Sequence, residues 1–173
     1  MRKLSILLIF IFLGLISMAQ HLNVVVKDTV KKRAVLVDFI DRQGLQTGEF
    51  AAGYAKEYPA YSTDIDLIEP LKTGLSDIQI IIVLATWCGD SKEQVPRFLK
   101  ILDQAGFDPE KCTMIGVDSQ KLARDIDVTV YDIDRVPTFI FYRHEVEIGR
   151  IVETPVQTLE SDMLKICQSK KQN

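Results

Sequence analysis

Three cysteines and two histidines are all that a chain of 173 residues offers for thiol or soft-metal chemistry. So few cysteines exclude a disulfide-stapled scaffold, and the odd count leaves at least one thiol without a partner inside the chain. Cys88, Cys112 and Cys167 stand 24 and 55 residues apart, unlike the C-x2-C ligand pairs of a zinc site, and His21 and His144 are isolated. No metal and no cofactor is expected. Positive charge is in slight deficit: 21 Lys and Arg stand against 24 Asp and Glu, a net charge of −3, which argues against a nucleic-acid partner. No internal repeat or low-complexity stretch is present.

Only one long apolar run exists. "MRKLSILLIFIFLGLISMAQ" opens with Arg2 and Lys3, continues through the mostly apolar Leu4 to Ile16, and ends in Ser17-Met18-Ala19. That is the pattern of a signal peptide over residues 1–19, cleaved before Gln20. It falls short of the roughly 20 apolar residues that span a bilayer, and no cysteine follows it for lipid attachment. Its removal takes two positive charges and moves the net charge from −3 to about −5. The expectation is an exported protein, periplasmic or secreted, with no membrane attachment after cleavage, working where disulfides persist.

Residues 20–45 form an N-terminal segment in which "LNVVVK" reads as a short strand and "RAVLVDFI" as strand or helix. Residues 46–170 read as one domain with its core over 78–168. "GEFAAGYAKEYPAY" and "TDIDLIEPLKTG" read as two helices, a helical lead-in, with Gly74 as the stop of the second. "DIQIIIVLAT" is a β-branched run suited to a strand buried on both faces. From Cys88 to Ala105, the residues Val95, Phe98, Leu99 and Leu102 share a helical face, and Gly106 can close the end. "CTMIGVD" is a second buried strand, so strand, helix and strand make a parallel βαβ unit. "TFIFYR" and "EVEIGRIVE" read as a hairpin. Thr154-Pro155-Val156-Gln157 reads as the start of a last helix, with Val156, Leu159, Met163, Ile166 and Cys167 on one face. The order βαβ then ββα gives an α/β fold with a central mixed sheet and helices on both sides, three layers in all.

"TWCGDSKEQVP" places Cys88 where the first core strand ends and the long helix begins. Unpaired backbone N–H groups and the helix dipole favour thiolate there. A free thiol has a pKa of about 8.5, and helix N-termini bring it down to roughly 3.5–7.5. Ser91, one turn on, can donate a hydrogen bond to the sulfur, and Asp90 opposes a second negative charge. Trp87, Gly89, Asp90 and Ser91 are not a core-filling run, which favours an exposed, active Cys88 over a buried structural one. Cys112, opening a buried strand, and Cys167, on an apolar helix face, suit an interior role.

"WCGDS" resembles the W-C-G-P-C site of the thioredoxin family at Trp87, Cys88 and Gly89, and Pro96 falls at that family's helix proline. "RVPTFIFY" resembles its second signature, in which Val136 precedes a cis-proline, Pro137, followed by Thr138. The resemblance runs from Ile78 to Ile166. It implies the thioredoxin fold, three-layer α/β/α. More narrowly, the chain is similar to exported bacterial thioredoxin-like proteins with C-G-D-S, chiefly in the Bacteroidetes. Two departures stand out: Ser91 replaces the resolving cysteine, and Ile82 replaces the family's buried strand aspartate.

The resemblance implies thiol–disulfide exchange, reductase- or isomerase-like, with Cys88 as nucleophile and Ser91 as hydrogen-bond donor. Trp87, Gly89, Asp90, Val136, Pro137 and Thr138 would receive the substrate. The partners would be protein or small-molecule thiols and disulfides, because release of a mixed disulfide needs a second thiol. Two alternatives stay open: a non-catalytic peptide-binding module across Trp87 and Pro137, and an iron–sulfur binder resembling monothiol glutaredoxins. Trp87, Pro96 and export lean against the second. Peroxidase chemistry is disfavoured because Thr86 lies two residues before Cys88 rather than three.

Overall fold

The run Ile78–Leu84 becomes β3, the strand around which the chain is arranged. A computed structural model describes residues 22–169; the segment read as a signal peptide lies outside the described residues. β1 (Val24–Lys27), β2 (Ala34–Ile40), β4 (Cys112–Gly116), β5 (Thr138–Arg143) and β6 (Val146–Val152) complete a six-stranded sheet in the order β1-β2-β4-β3-β5-β6. Among the described residues only β3 and β4 pair in parallel, and the other pairings are antiparallel. Within the N-terminal segment, both apolar runs are strands, and residues 24–40 supply a hairpin that widens the same sheet.

β3 is central because both its faces are apolar. Ile78, Ile80, Ile82 and Leu84 are enclosed on one side, where four helices pack: α1 (Ala51–Ala60), α2 (Ile65–Gly74), α3 (Gly89–Gln104) and α4 (Leu159–Gln168). α1 lies on α3 and α2 on α4. The close approach of the second pair explains Gly74, where a Cβ would sit 3.1 Å from that of Cys167. Gly106 ends α3 as expected. Its φ of +65° lets its N–H reach Asp103 O while Phe107 N–H reaches Leu102 O, closing the last carbonyls of the helix.

Val83, Ala85, Ile115 and Val117 face the other way, against Val128, Val136, Ile126 and Ile133. The third layer exists, but it is built from residues 117–137, whose one regular piece is a 3-10 turn at Val128–Tyr131, rather than from an α-helix. Carboxylates are the reason. Asp118 accepts the N–H groups of Gln120 and Leu122, and Asp127 that of Thr129. Asp38, buried in β2, accepts those of Arg124 and Asp125, and Asp28 that of Ser119. Backbone donors satisfied by side chains have no drive to form a helix.

The last helix also starts later than the sequence pattern indicates. Its N-cap is Thr158, whose Oγ1 accepts from Ser161 N–H at 3.1 Å. Thr154 N–H goes to Val152 O and Val156 N–H to Asp162 Oδ2, so the donors of the expected first turn are used elsewhere. Val156 consequently lies 93% exposed, outside the face that Leu159, Met163 and Cys167 bury.

Candidate functional site

β3 ends at Leu84, and the next few residues turn the chain into α3. Cys88 occupies the N-cap of that helix in extended geometry (φ −82°, ψ 132°). Its N–H is held by Ala85 O at 3.0 Å. The helix's first free N–H groups and its positive dipole end therefore lie beside the sulfur. Cys88 is half-buried, Gly89 is exposed and would have no atom within 4 Å of an added Cβ, and Asp90 lies half-buried in the first turn. The sulfur is thus approachable from the Gly89 side.

The second signature closes over the same point. The Val136–Pro137 peptide bond is cis, and Val136 O accepts from Cys88 Sγ at 3.1 Å. Residues 48 positions apart are joined by this contact. Val136 is itself buried, but its carbonyl faces the thiol. Thr138 is also buried, and its hydroxyl donates to Arg135 O at 2.6 Å. It therefore shapes the loop from beneath and does not face the solvent side with Trp87 and Gly89.

Ser91 corrects the sequence reading. It is fully buried, and its Oγ accepts the Ala85 N–H at 3.3 Å. The expected donation to sulfur is not among the hydrogen bonds of the described residues; the hydroxyl oxygen instead supports the turn that presents Cys88. The reason is geometric: α3 lies flat on the sheet, so a side chain one turn after the N-cap points inward toward the end of β3. Thr86 acts similarly, with Oγ1 accepting from Leu36 N–H at 3.2 Å and binding β2 to this turn. Ile82 is fully buried, so no carboxylate stands at its position.

The site has one further wall that sequence reasoning missed. The turn between β1 and β2 carries Lys31, whose Nζ stands 5.0 Å from the centroid of the Trp87 ring. Asp28 pins that turn, accepting from the N–H groups of Val30, Lys31 and Ser119 and from the Ser119 hydroxyl at 2.6 to 3.0 Å. These bonds, led by the Lys31 N–H, hold its pKa down at about 2. The polar run "KDTVKKR" between two apolar stretches signals a hairpin, but nothing local tells where its tip lands.

The three cysteines are all free, and they differ in environment. Burial pushes the Cys112 thiol up to about 12 and the Cys167 thiol up to about 11. Neither is a competent nucleophile near neutral pH. Graded alkylation of the native protein at pH 7, located by mass spectrometry, is therefore expected to label Cys88 first by a factor of roughly ten or more. Earlier labelling of Cys112 or Cys167 would remove Cys88 from the centre of the site. Among the described residues no three His, Cys, Asp or Glu side chains converge as a metal-ligand group.

A family model described as Thioredoxin matches residues 71–165, more than half of the chain. A thioredoxin from Malassezia sympodialis is 29% identical over 90 residues, covering 51% of this chain and 81% of that protein. Among solved structures, a protein of unknown function from Pseudomonas aeruginosa is 16% identical with a TM-score of 0.48, covering 69% of this chain and 81% of its own. Thioredoxin O2 from Arabidopsis thaliana, in the oxidised state, is 21% identical with a TM-score of 0.39, covering 58% and 83%. The hairpin of β1 and β2 and the helix α1 precede the matched stretch.

Proposed function

Since this chain belongs to the thioredoxin family, we propose that it carries out thiol–disulfide exchange through the single nucleophile Cys88. The observation that carries the reading is the placement of Cys88: at the N-cap of α3, half-exposed, against the Val136 carbonyl of the cis-proline turn. The Cys88 thiolate attacks one sulfur of a substrate disulfide. One S–S bond forms, the substrate S–S bond breaks, and the departing thiolate takes a proton from water. A second thiol, on the substrate or a small molecule, must then attack the mixed disulfide and return Cys88 to its reduced state. With Ser91 in place of a resolving cysteine, and with Cys112 and Cys167 raised to about 12 and 11, that thiol comes from outside the chain. Protein and small-molecule thiols and disulfides are the partners this chemistry takes. Action outside the cytosol belongs to the same reading, supported by the basic start and apolar run of residues 1–19.

The pre-reduced wild-type protein is accordingly expected to form a stable mixed disulfide with insulin. It should turn over only when an external thiol is added. Thiol-blocked gel analysis checks this, with Cys88→Ser as the control that forms no adduct. Rapid insulin reduction without added thiol would show an internal resolver, and no adduct at all would favour a peptide-binding module without exchange.

A further inference from the structure

We propose that Lys31 makes the site selective for disulfides flanked by acidic residues, an inference that rests on the exchange reading of Cys88. Trp87 directly precedes Cys88, so a peptide presenting its disulfide to the sulfur lies against this ring or its immediate surroundings. The ammonium of Lys31 is held over that ring, 5.0 Å from its centroid. The turn that carries it is not a free loop, because Asp28 ties it to Ser119 across the molecule with two bonds of 2.7 and 3.0 Å.

The turn carries three cations, Lys31, Lys32 and Arg33, and of these Lys31 is the one seated over the Trp87 ring. Asp28 is ionised and fully engaged by its four donors. Arg33 is paired with Glu49 at 3.1 Å, and Lys92 stands 3.5 Å from the same carboxylate. Among the described residues no carboxylate forms an ion pair with Lys31. Its side chain is exposed, and its contact with the ring leaves the ammonium hydrated and able to meet a substrate carboxylate. Asp90 carries the opposite charge in the first turn of α3. The preference is therefore local to the part of the substrate lying on Trp87, and a wholly acidic ligand is not implied.

The test uses two peptides identical except for the residues beside their cysteine, two Asp in one and two Lys in the other. Each is activated as its 2-pyridyl disulfide, so that attack by Cys88 releases thiopyridone and leaves the peptide on the protein. At low salt the acidic peptide is expected to react roughly three- to tenfold faster, the range for one unit charge acting across a few ångströms of water-exposed surface. The preference should collapse near 1 M salt, where screening reaches about 3 Å. Lys31→Arg should keep it and Lys31→Glu should reverse it, both with unchanged far-ultraviolet circular dichroism. An identical preference in wild type and Lys31→Glu overturns the proposal while leaving exchange intact. If neither peptide reacts with the wild type, the exchange reading fails, and the ratio of iodoacetate to iodoacetamide labelling at Cys88 decides the charge effect on its own. That ratio should fall in Lys31→Glu, and an unchanged ratio overturns the proposal.

Discussion

Ser91→Cys is expected to convert a protein that stalls as a mixed disulfide into one that releases its substrate unaided. Cys88 and residue 91 are the N-cap and third residue of α3, and helix geometry places Cα atoms three apart at about 5 Å. That is within the Cα separation a disulfide spans. Burial of position 91 sharpens the expectation. A cysteine there is shielded from outside reagents and can act on nothing except a disulfide formed at Cys88, which is the task of a resolver. The cost is a weaker acceptor for the Ala85 N–H now held by Ser91 Oγ at 3.3 Å, about 1 kcal/mol of stability. Because attack becomes intramolecular, insulin reduction without added thiol should rise by roughly tenfold or more. It should stay short of a full dithiol enzyme, since Ile82 supplies no proton relay. Mass spectrometry of the oxidised variant should show the bridge, and Ser91→Cys/Cys88→Ala should lose both bridge and activity. If Ser91→Cys closes no bridge and gains no activity, Cys88 and position 91 do not face each other as the helix start requires.

The largest stability effect is expected from Phe98→Ala. Phe98 is fully enclosed on the inner face of α3, stacked on Phe139 at a centroid distance of 4.3 Å and edge-on to Phe141 at 6.0 Å. These two rings come from β5, so this one side chain fastens the helix bearing Cys88 to the strand that opens after the cis-proline turn. Truncating a ring of this kind removes its transfer energy and leaves a cavity, together about 3–5 kcal/mol. For a domain of this length the melting temperature should drop by roughly 10 °C or more. Urea unfolding is expected to show a lower midpoint at an unchanged slope. A loss below about 1 kcal/mol would mean that α3 is held to the sheet by other contacts and that the site does not depend on this cluster.

Much of the fold was legible because it is written in local periodicity. The β-branched run of β3 favours an extended chain, and the stripe Val95, Phe98, Leu99, Leu102 gives α3 one apolar face for the sheet. Gly106 ends that helix through its own backbone freedom. Cys88 was legible for a similar reason: a cysteine at the junction of such a strand and such a helix occupies the N-cap whatever surrounds it. What the tertiary structure decided is where hydrogen-bond donors and charges go when they have distant options. Asp28 reaches Ser119 across 91 residues, Asp38 reaches Arg124 across 86, and those bonds replace a helix with irregular chain in the third layer. Asp162 takes the N–H of Val156 and moves the start of α4 past the expected capping residues. Ser91 turns inward because α3 lies on the sheet, and Lys31 reaches Trp87 because β1 and β2 join the sheet beside β4. Each of these is a competition between a local partner and one far along the chain, and its outcome is set by which groups the folded sheet brings within about 3 Å, a quantity that has no period in the sequence.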